Sequence, residues 1–283
     1  MKNCNTCGSN VIKIKPLNFN YKEFYSIDLH KMIDEILKDS LVIFCENCEA
    51  LHFKLNKEVP SEYYNILNKS QKFYYPKHRL EYNIALNSSI LNNYNNVIDL
   101  GCGSGLFVNF LKNNGIKNIT AFDFYISKKT ENIIYQELNL NSNFKIPQSQ
   151  LLTSFHVIEH IQNPLNFLKS IIKSKPKEIL ITTPNSENYR NCYGVIDFMN
   201  YPPHHLTQFT KKSLEKLASN FEGYKYEVIY IERVNLVKQV LRLFNQSKNK
   251  SFKIFLPIFN FSKKTANYNT LMLKLKRIDT LSA

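Results

Sequence analysis

The sequence predicts an α/β fold in which helices cover both faces of a sheet, with a small cysteine-built module ahead of it. Three observations carry this. First, Asn96-Val97-Ile98-Asp99-Leu100 is an apolar run that turns at Gly101-Cys102-Gly103-Ser104-Gly105 into an amphipathic stretch from Leu106 to Asn113, in the order strand, glycine turn, helix. Second, further apolar runs at 119–122, 150–155 and 178–183 alternate with helical patterns, as in a parallel sheet. Third, two Cys-x-x-Cys pairs, Cys4/Cys7 and Cys45/Cys48, lie near the start of the chain.

With 283 residues, 43% of them hydrophobic and 13% aromatic, the chain can bury one full α/β core plus an appendage and is not disordered by composition. It has no apolar run of about 18 residues, so no transmembrane helix is expected. No apolar stretch backs the charge in Met1-Lys2-Asn3-Cys4, so no signal peptide is expected either, and a cytoplasmic location follows. The net charge of +14 has two readings. Lys, Asn and Ile are abundant throughout, which points to compositional bias. A functional field would instead draw in a small anionic substrate. The charges are scattered and form no dense basic-aromatic run, so nucleic acid is the less favoured partner. Nothing in the sequence indicates an oligomeric state.

Cys4-Asn5-Thr6-Cys7-Gly8 reads as a metal knuckle, and Cys45-Glu46-Asn47-Cys48 as its partner. In a reducing compartment such pairs are metal ligands rather than disulfides. Together they supply four thiolates, Cys4, Cys7, Cys45 and Cys48, for a closed tetrahedral site. A closed site is structural, and the expected metal is zinc in a zinc-ribbon-like module spanning 1–60. The insert between the pairs holds a predicted helix, Leu29 to Leu37, with Met32, Ile33, Ile36 and Leu37 apolar.

The glycine turn predicts a nucleotide-type cofactor at the helix N-terminus. A dinucleotide fingerprint needs Gly-x-Gly-x-x-Gly, but the sixth position here is Leu106, which weakens a nicotinamide reading. The next strand ends in Asp123, placed to accept hydrogen bonds from two ribose hydroxyls. A nicotinamide enzyme would want the same acid, so Asp123 alone does not discriminate.

Asp99-Leu100-Gly101-Cys102-Gly103-Ser104-Gly105 closely resembles the first motif of class I S-adenosylmethionine-dependent methyltransferases, and Asp123 matches that family's ribose-binding acid. The resemblance covers roughly Tyr74 to the C-terminus. It implies a Rossmann-like methyltransferase sheet with helices on both faces. Gly101, Cys102, Gly103 and Gly105 would then face the methionine part of the cofactor, with Asp99 near its ammonium. Phe124, Phe155 and His156, at strand ends, complete the expected cofactor contacts, with Tyr75 among aromatics that close over the cofactor. One departure stands out: the stretch from Ile126 to Gln150 is short and Asn-rich, without the family's clear third strand, and the adenine contact has no evident residue.

At the reacting end, His156-Val157-Ile158-Glu159-His160 follows the fourth strand, and Tyr201-Pro202-Pro203-His204-His205-Leu206 comes later. If the first segment were helical, His156, Glu159 and His160 would share one face. The two segments together resemble a methyltransferase subgroup. In sugar enzymes of that subgroup, some of which begin with a cysteine zinc module, a His in the later segment is the general base. The match here is His205, with His204 beside it. In quinone-pathway relatives a similar turn binds a divalent metal, and the matching set would be His156, Glu159 and His160. The expected catalytic group is therefore His205, His204, His160 and Glu159.

The expected organisation is a zinc module over 1–60, a helical linker and cofactor lid over 61–96, and the methyltransferase domain over 97–283. Near 235–268 that domain carries a basic-hydrophobic insertion, read as a cap or subunit contact, with weak membrane-surface contact as the alternative. Strands at Tyr224–Ile231 and Leu271–Lys276 are expected to close the sheet. The expected function is O-methylation of a sugar or a phosphorylated or nucleotide-linked sugar-like substrate, in surface-polysaccharide or secondary metabolism. C-methylation of a ketosugar, RNA methylation using the zinc module for binding, and a non-catalytic cofactor-binding protein are the alternatives.

Overall fold

The computed structural model describes residues 3–10, 12–17, 27–60, 62–63, 66, 79–124, 126, 131–187, 200–233 and 268–278. In chain order the elements are β1 (Ile12–Pro16), α1 (Ile27–Leu37), β2 (Leu41–Cys45), β3 (Leu51–Lys54), α2 (Leu80–Leu91), β4 (Asn96–Leu100) and α3 (Leu106–Asn113). They continue with β5 (Asn118–Asp123), β6 (Ile134–Glu137), β7 (Leu151–Phe155), a single 3₁₀ turn (Ile158–His160), α4 (Pro164–Lys173) and β8 (Glu178–Pro184). The last are β9 (Thr207–Gln208), α5 (Lys211–Ala218), β10 (Tyr224–Arg233) and β11 (Tyr268–Arg277).

Seven strands form the main sheet in the order β10-β11-β8-β7-β4-β5-β6. The five from β8 to β6 are parallel, and β11 enters antiparallel between β8 and β10. The central strands are predominantly apolar because both faces are covered, with Asp99, Thr153, Ser154, Thr182 and Thr183 as buried polar exceptions toward their C-terminal ends. Their side chains alternate between two cores. Val97, Leu151, Leu180 and Met272 pack with Tyr82, Phe107 and Leu111 from α2 and α3. Ile98, Leu152, Ile179, Ile181, Leu271 and Leu273 pack with Phe167 and Ile171 of α4 and Leu214 and Leu217 of α5. Each such fully buried aliphatic side chain contributes roughly 1.5–3 kcal/mol relative to exposure. The alternation is the period-two geometry of a strand, and it produces the three layers the sequence predicts.

The helices on the second face start where their sequences provide caps. Asn163 accepts the amide of Asn166 with Pro164 at the first helical position of α4. Thr210 and Ser213 form a reciprocal capping box on α5.

A third parallel strand exists where no clear one was expected: β6 pairs with β5 over Ile134–Glu137. It is an edge strand whose residues are mostly exposed, so backbone pairing rather than an apolar face defines it. Composition had little to report there.

The second sheet is antiparallel, in the order β1-β2-β3-β9. Its last strand, Thr207–Gln208, comes from beyond β8, so the N-terminal segment completes its sheet with a strand from the C-terminal half. The buried side of α1 consists of Leu29, Ile33 and Ile36. The expected insertion near 235–268, apart from Tyr268 at the start of β11, and the aromatics Tyr74 and Tyr75 lie outside the described residues. No described helix is long and apolar enough to cross a membrane.

Candidate functional site

The turn after β4 is pinned to the tip of β5. The amides of Gly101 and Cys102 donate to the Phe122 carbonyl at 2.7 and 3.0 Å, and the Gly103 amide donates to the Asp123 carboxylate at 2.7 Å. Asp123 therefore sits beside the glycine turn. Two of the glycines have reasons beyond ligand approach. Gly101 and Gly105 have φ of +77° and +76°, a region that costs any residue with a Cβ. A Cβ at Gly101 would also overlap the Val157 side chain, and one at Gly105 would press on the Tyr135 hydroxyl at 3.0 Å. At Gly101 the Val157 side chain thus occupies the place a Cβ would take.

Asp99 is buried at the end of β4 and accepts a hydrogen bond from the Thr153 hydroxyl at 2.8 Å. Burial pushes its pKa up to about 7; the Thr153 hydrogen bond opposes this and the nearby Asp123 charge adds to it. The Cys102 thiol is likewise pushed up, chiefly by burial, and is inert at neutral pH. Phe155, at the tip of β7, meets Phe107 edge-on at 4.9 Å and faces Tyr82 at 6.3 Å. Phe124, just past Asp123, is 60% exposed.

The His-x-x-Glu-His segment is not a helix. His156 takes a left-handed conformation with φ of +57°, and only Ile158–His160 forms a 3₁₀ turn. His156, Glu159 and His160 therefore do not share a helical face, and they are not among the described metal-capable clusters. His156 instead faces α2: its Nε2 lies 3.1 Å from Glu81 and its Nδ1 3.5 Å from Glu159. His160 turns the other way, with Nδ1 2.6 Å from the His204 carbonyl. A carbonyl only accepts, so Nδ1 carries the hydrogen and Nε2 presents a lone pair when the ring is neutral.

His160, His204 and His205 converge. Their ring centroids lie 4.7–4.8 Å apart, and one nitrogen from each falls within 4.8 Å of the others. His204 and His205 are only 3% and 7% exposed, so the pair sits inside the protein rather than on an open lid. The Glu159 carboxylate, 1% exposed, lies 4.0 Å from His205 Nε2.

The electrostatics divide the group in two. Burial would raise the Glu159 pKa, but His156 outweighs it and holds the carboxylate ionised. Burial would lower the His156 pKa, but the Glu159 and Glu81 carboxylates outweigh it and raise it above the usual histidine value. Burial lowers His160, and it lowers His204 and His205 well below the usual histidine range, with neighbouring rings adding repulsion. An alternating chain of charge results: Arg79 and Glu81 at 3.7 Å, then His156, then Glu159, ending on the neutral His205.

The four N-terminal cysteines meet as expected. Cys4 Sγ and Cys48 Sγ are 3.7 Å apart, as are Cys7 Sγ and Cys45 Sγ, and all four lie within 4.8 Å of one another. A tetrahedral zinc with Zn–S of about 2.3 Å needs sulfurs about 3.8 Å apart. The Thr6 amide and Asn47 side chain donate to Cys4 and Cys7 at 3.4 and 3.7 Å, as thiolates require. The donor set is compatible with a closed structural zinc.

Sequence reasoning missed Glu81, Tyr135 and His52. Glu81 resembles any helix-start carboxylate, and only folding brings it to His156. The Tyr135 hydroxyl, against Gly105, is buried with no hydrogen-bond partner among the described residues. His52 stands alone in the sequence but contacts Cys4 at 3.4 Å. Tyr75, expected over the cofactor, lies outside the described residues.

Comparison with known proteins bears on this geometry. The model of the family described as "Methyltransferase domain" matches residues 70–228. No curated protein matches the chain. Among solved structures it is similar to the plantazolicin methyltransferase BpumL in complex with a triazolic desmethylPZN analog and SAH. That likeness has 12% identity and a TM-score of 0.51, and covers 77% of this chain and 90% of that one. It is also similar to the methyltransferase domain of bacterial CtHen1, at 19% identity and TM-score 0.48 over 70% of this chain and 96% of that one. A third is an S-adenosylmethionine-dependent methyltransferase from Mesorhizobium loti, at 14% identity and TM-score 0.44 over 64% and 90%. At such identities the BpumL likeness speaks for the fold. The family model spans more than half of the 283 residues, and on that match the chain belongs to the methyltransferase-domain family, as an S-adenosylmethionine-dependent methyltransferase.

Proposed function

We propose that the enzyme O-methylates a hydroxyl of a sugar or a phosphorylated or nucleotide-linked sugar-like substrate, with His205 as general base. The observation that carries this reading is the group of buried neutral imidazoles set against an ionised carboxylate, just past the C-terminal end of β7. Ligands bind at strand C-termini in sheets of this kind.

S-adenosylmethionine, when bound, supplies an electrophilic methyl on a sulfonium that needs no further activation. What remains is to align the acceptor and remove its proton. Held neutral by burial, His205 would accept that proton as the oxygen–carbon bond forms and the methyl carbon–sulfur bond breaks, its electron pair staying on sulfur in S-adenosylhomocysteine. Glu159 then stabilises the imidazolium from 4.0 Å, much as a carboxylate backs a catalytic histidine elsewhere. Asp99, Gly101, Cys102, Gly103, Gly105, Asp123, Phe124, Phe155 and His156 are the proposed cofactor contacts, with Asp99 toward the ammonium and Asp123 toward the ribose. The sugar class rests on the family resemblance and on the +14 charge, which suits an anionic acceptor.

A second reading follows from the geometry of His160, His204 and His205, whose nitrogens are close enough to share one divalent ion. A metal there would lower the acceptor hydroxyl pKa in place of a base. The set differs from the His156, Glu159 and His160 trio expected from the sequence.

The test is to incubate the protein with methyl-labelled cofactor and fractionated cell extract. Label in nucleotide-sugar fractions supports the proposal, and label confined to RNA overturns it. His205→Ala should cut turnover about 10²–10⁴-fold with cofactor affinity unchanged, the range for a positioned base. Retained turnover removes that role. Activity lost on chelation and restored by a divalent ion, with zinc still on the thiolates, selects the metal reading.

A further inference from the structure

Hydrogen bonds from both halves of the cysteine site end on the segments that carry the imidazoles. From the first knuckle, Asn5 accepts the Leu165 amide at 2.9 Å, and its side chain donates to the Gln162 carbonyl at 2.7 Å. These contacts hold the entry to α4, directly after His160. From the second half, the Phe53 amide of β3 donates to the Leu206 carbonyl at 2.8 Å. The Leu206 amide in turn donates to the Glu159 carbonyl at 2.7 Å. Leu206 thus ties β3 to the Glu159 turn through its main chain alone, immediately after His204 and His205.

His52 stands at the centre of this junction and is 2% exposed. Its Nε2 lies 3.4 Å from Cys4 Sγ and 3.3 Å from Thr6 Oγ1, and its Nδ1 lies 3.1 Å from Thr207 Oγ1. His52 and Thr207 are also register partners of β3 and β9. A metal-bound thiolate can only accept, so Nε2 carries the hydrogen and Nδ1 accepts from the Thr207 hydroxyl. One relay therefore runs from a metal ligand through an imidazole to a hydroxyl two residues beyond His205.

We infer that the four-thiolate site is the footing of the His160–His204–His205 cluster, and that His52 and Thr207 are positioning residues that transmit its geometry. The relevance to turnover rests on the role proposed for His205. The relay itself is read without an acceptor substrate or any catalysis.

The experiment uses the full zinc-loaded chain. Amide hydrogen exchange is followed at Phe53 and Leu206, and the imidazole resonances of His160, His204 and His205 by nitrogen-15 NMR, before and after a chelator strips the zinc. S-adenosylhomocysteine binding is titrated in parallel. Stripping should speed exchange at Phe53 and Leu206 at least about tenfold and shift the imidazole resonances, reversibly on adding zinc, while Ile98 and Leu152 stay protected. Thr207→Val should keep its zinc and its affinity for S-adenosylhomocysteine yet still shift those resonances, and Thr207→Ser should restore them. Unchanged imidazoles in Thr207→Val, or unchanged Leu206 exchange on stripping, overturns the inference. Absence of S-adenosylhomocysteine binding in the untouched chain would count against the methyl-transfer reading and leave the relay to be judged on exchange and resonances.

Discussion

Asp99 is a buried carboxylate for which we propose a cofactor ammonium as partner. With its pKa near 7, it is largely protonated below neutrality in the free protein. A ligand ammonium beside it would favour the charged form and lower that pKa. Binding of S-adenosylhomocysteine near pH 6 should therefore release up to about one proton, measured as the dependence of binding heat on buffer ionisation enthalpy. Asp99→Asn should abolish that release, and a wild-type enthalpy independent of buffer would remove Asp99 from the cofactor site. In the proposed mechanism Glu159 is the counterpart on the reacting side. Glu159→Gln should lower turnover about tenfold or more by removing the charge behind His205, with cofactor affinity intact. Among these residues, the four cysteines were legible in the sequence because their spacing carries the chemistry. Glu81 and His52 were not, since each acquires its role from a partner distant in sequence.

At the scale of elements, the turn between β4 and α3 shows two constraints meeting at one residue. Gly101 has a positive φ, and the Val157 side chain occupies the place a Cβ would take. Gly101→Ala should destabilise the protein by about 1–3 kcal/mol, combining backbone strain with overpacking. Val157→Ala in the same chain should recover part of that loss. Denaturant unfolding of the two single variants and the double variant measures the coupling; strict additivity would mean that the overlap is not the cause. The main strands were readable to within a residue or two because a strand covered on both faces is predominantly apolar. β6 was not, because an exposed edge makes no such demand. The His-x-x-Glu-His turn misled for a related reason: spacing at i, i+3 and i+4 implies a shared face only if the backbone is helical, and His156 is not.

For the molecule as a whole, the buried histidines set the acid side of stability. His160, His204 and His205 have lowered pKa values, so below about 6.5 the unfolded chain binds protons that the folded one refuses, and stability falls with pH. Asp99 acts in the opposite sense between its ordinary value and about 7, since there the folded state holds the extra proton. His156, with a raised pKa, contributes stability below 6.5 that is lost only as the pH rises through its folded value. Three groups oppose one between pH 6.5 and 5, each contributing up to about 1.4 kcal/mol per pH unit. The melting temperature should therefore drop over that interval, and less steeply in His204→Phe; a flat or rising profile would contradict the neutral cluster.

The sequence by itself determined the layered α/β sheet, the glycine turn with its two acids and the four-thiolate site. Each of these is written in local spacing or in strand and helix periodicity, which short-range geometry converts directly into structure. Only the tertiary structure decided which histidines face one another and that the cysteine module shares a sheet with Thr207–Gln208. Those pairings join residues 44 to 155 positions apart through burial and hydrogen bonds, and such contacts leave no periodic mark on the chain.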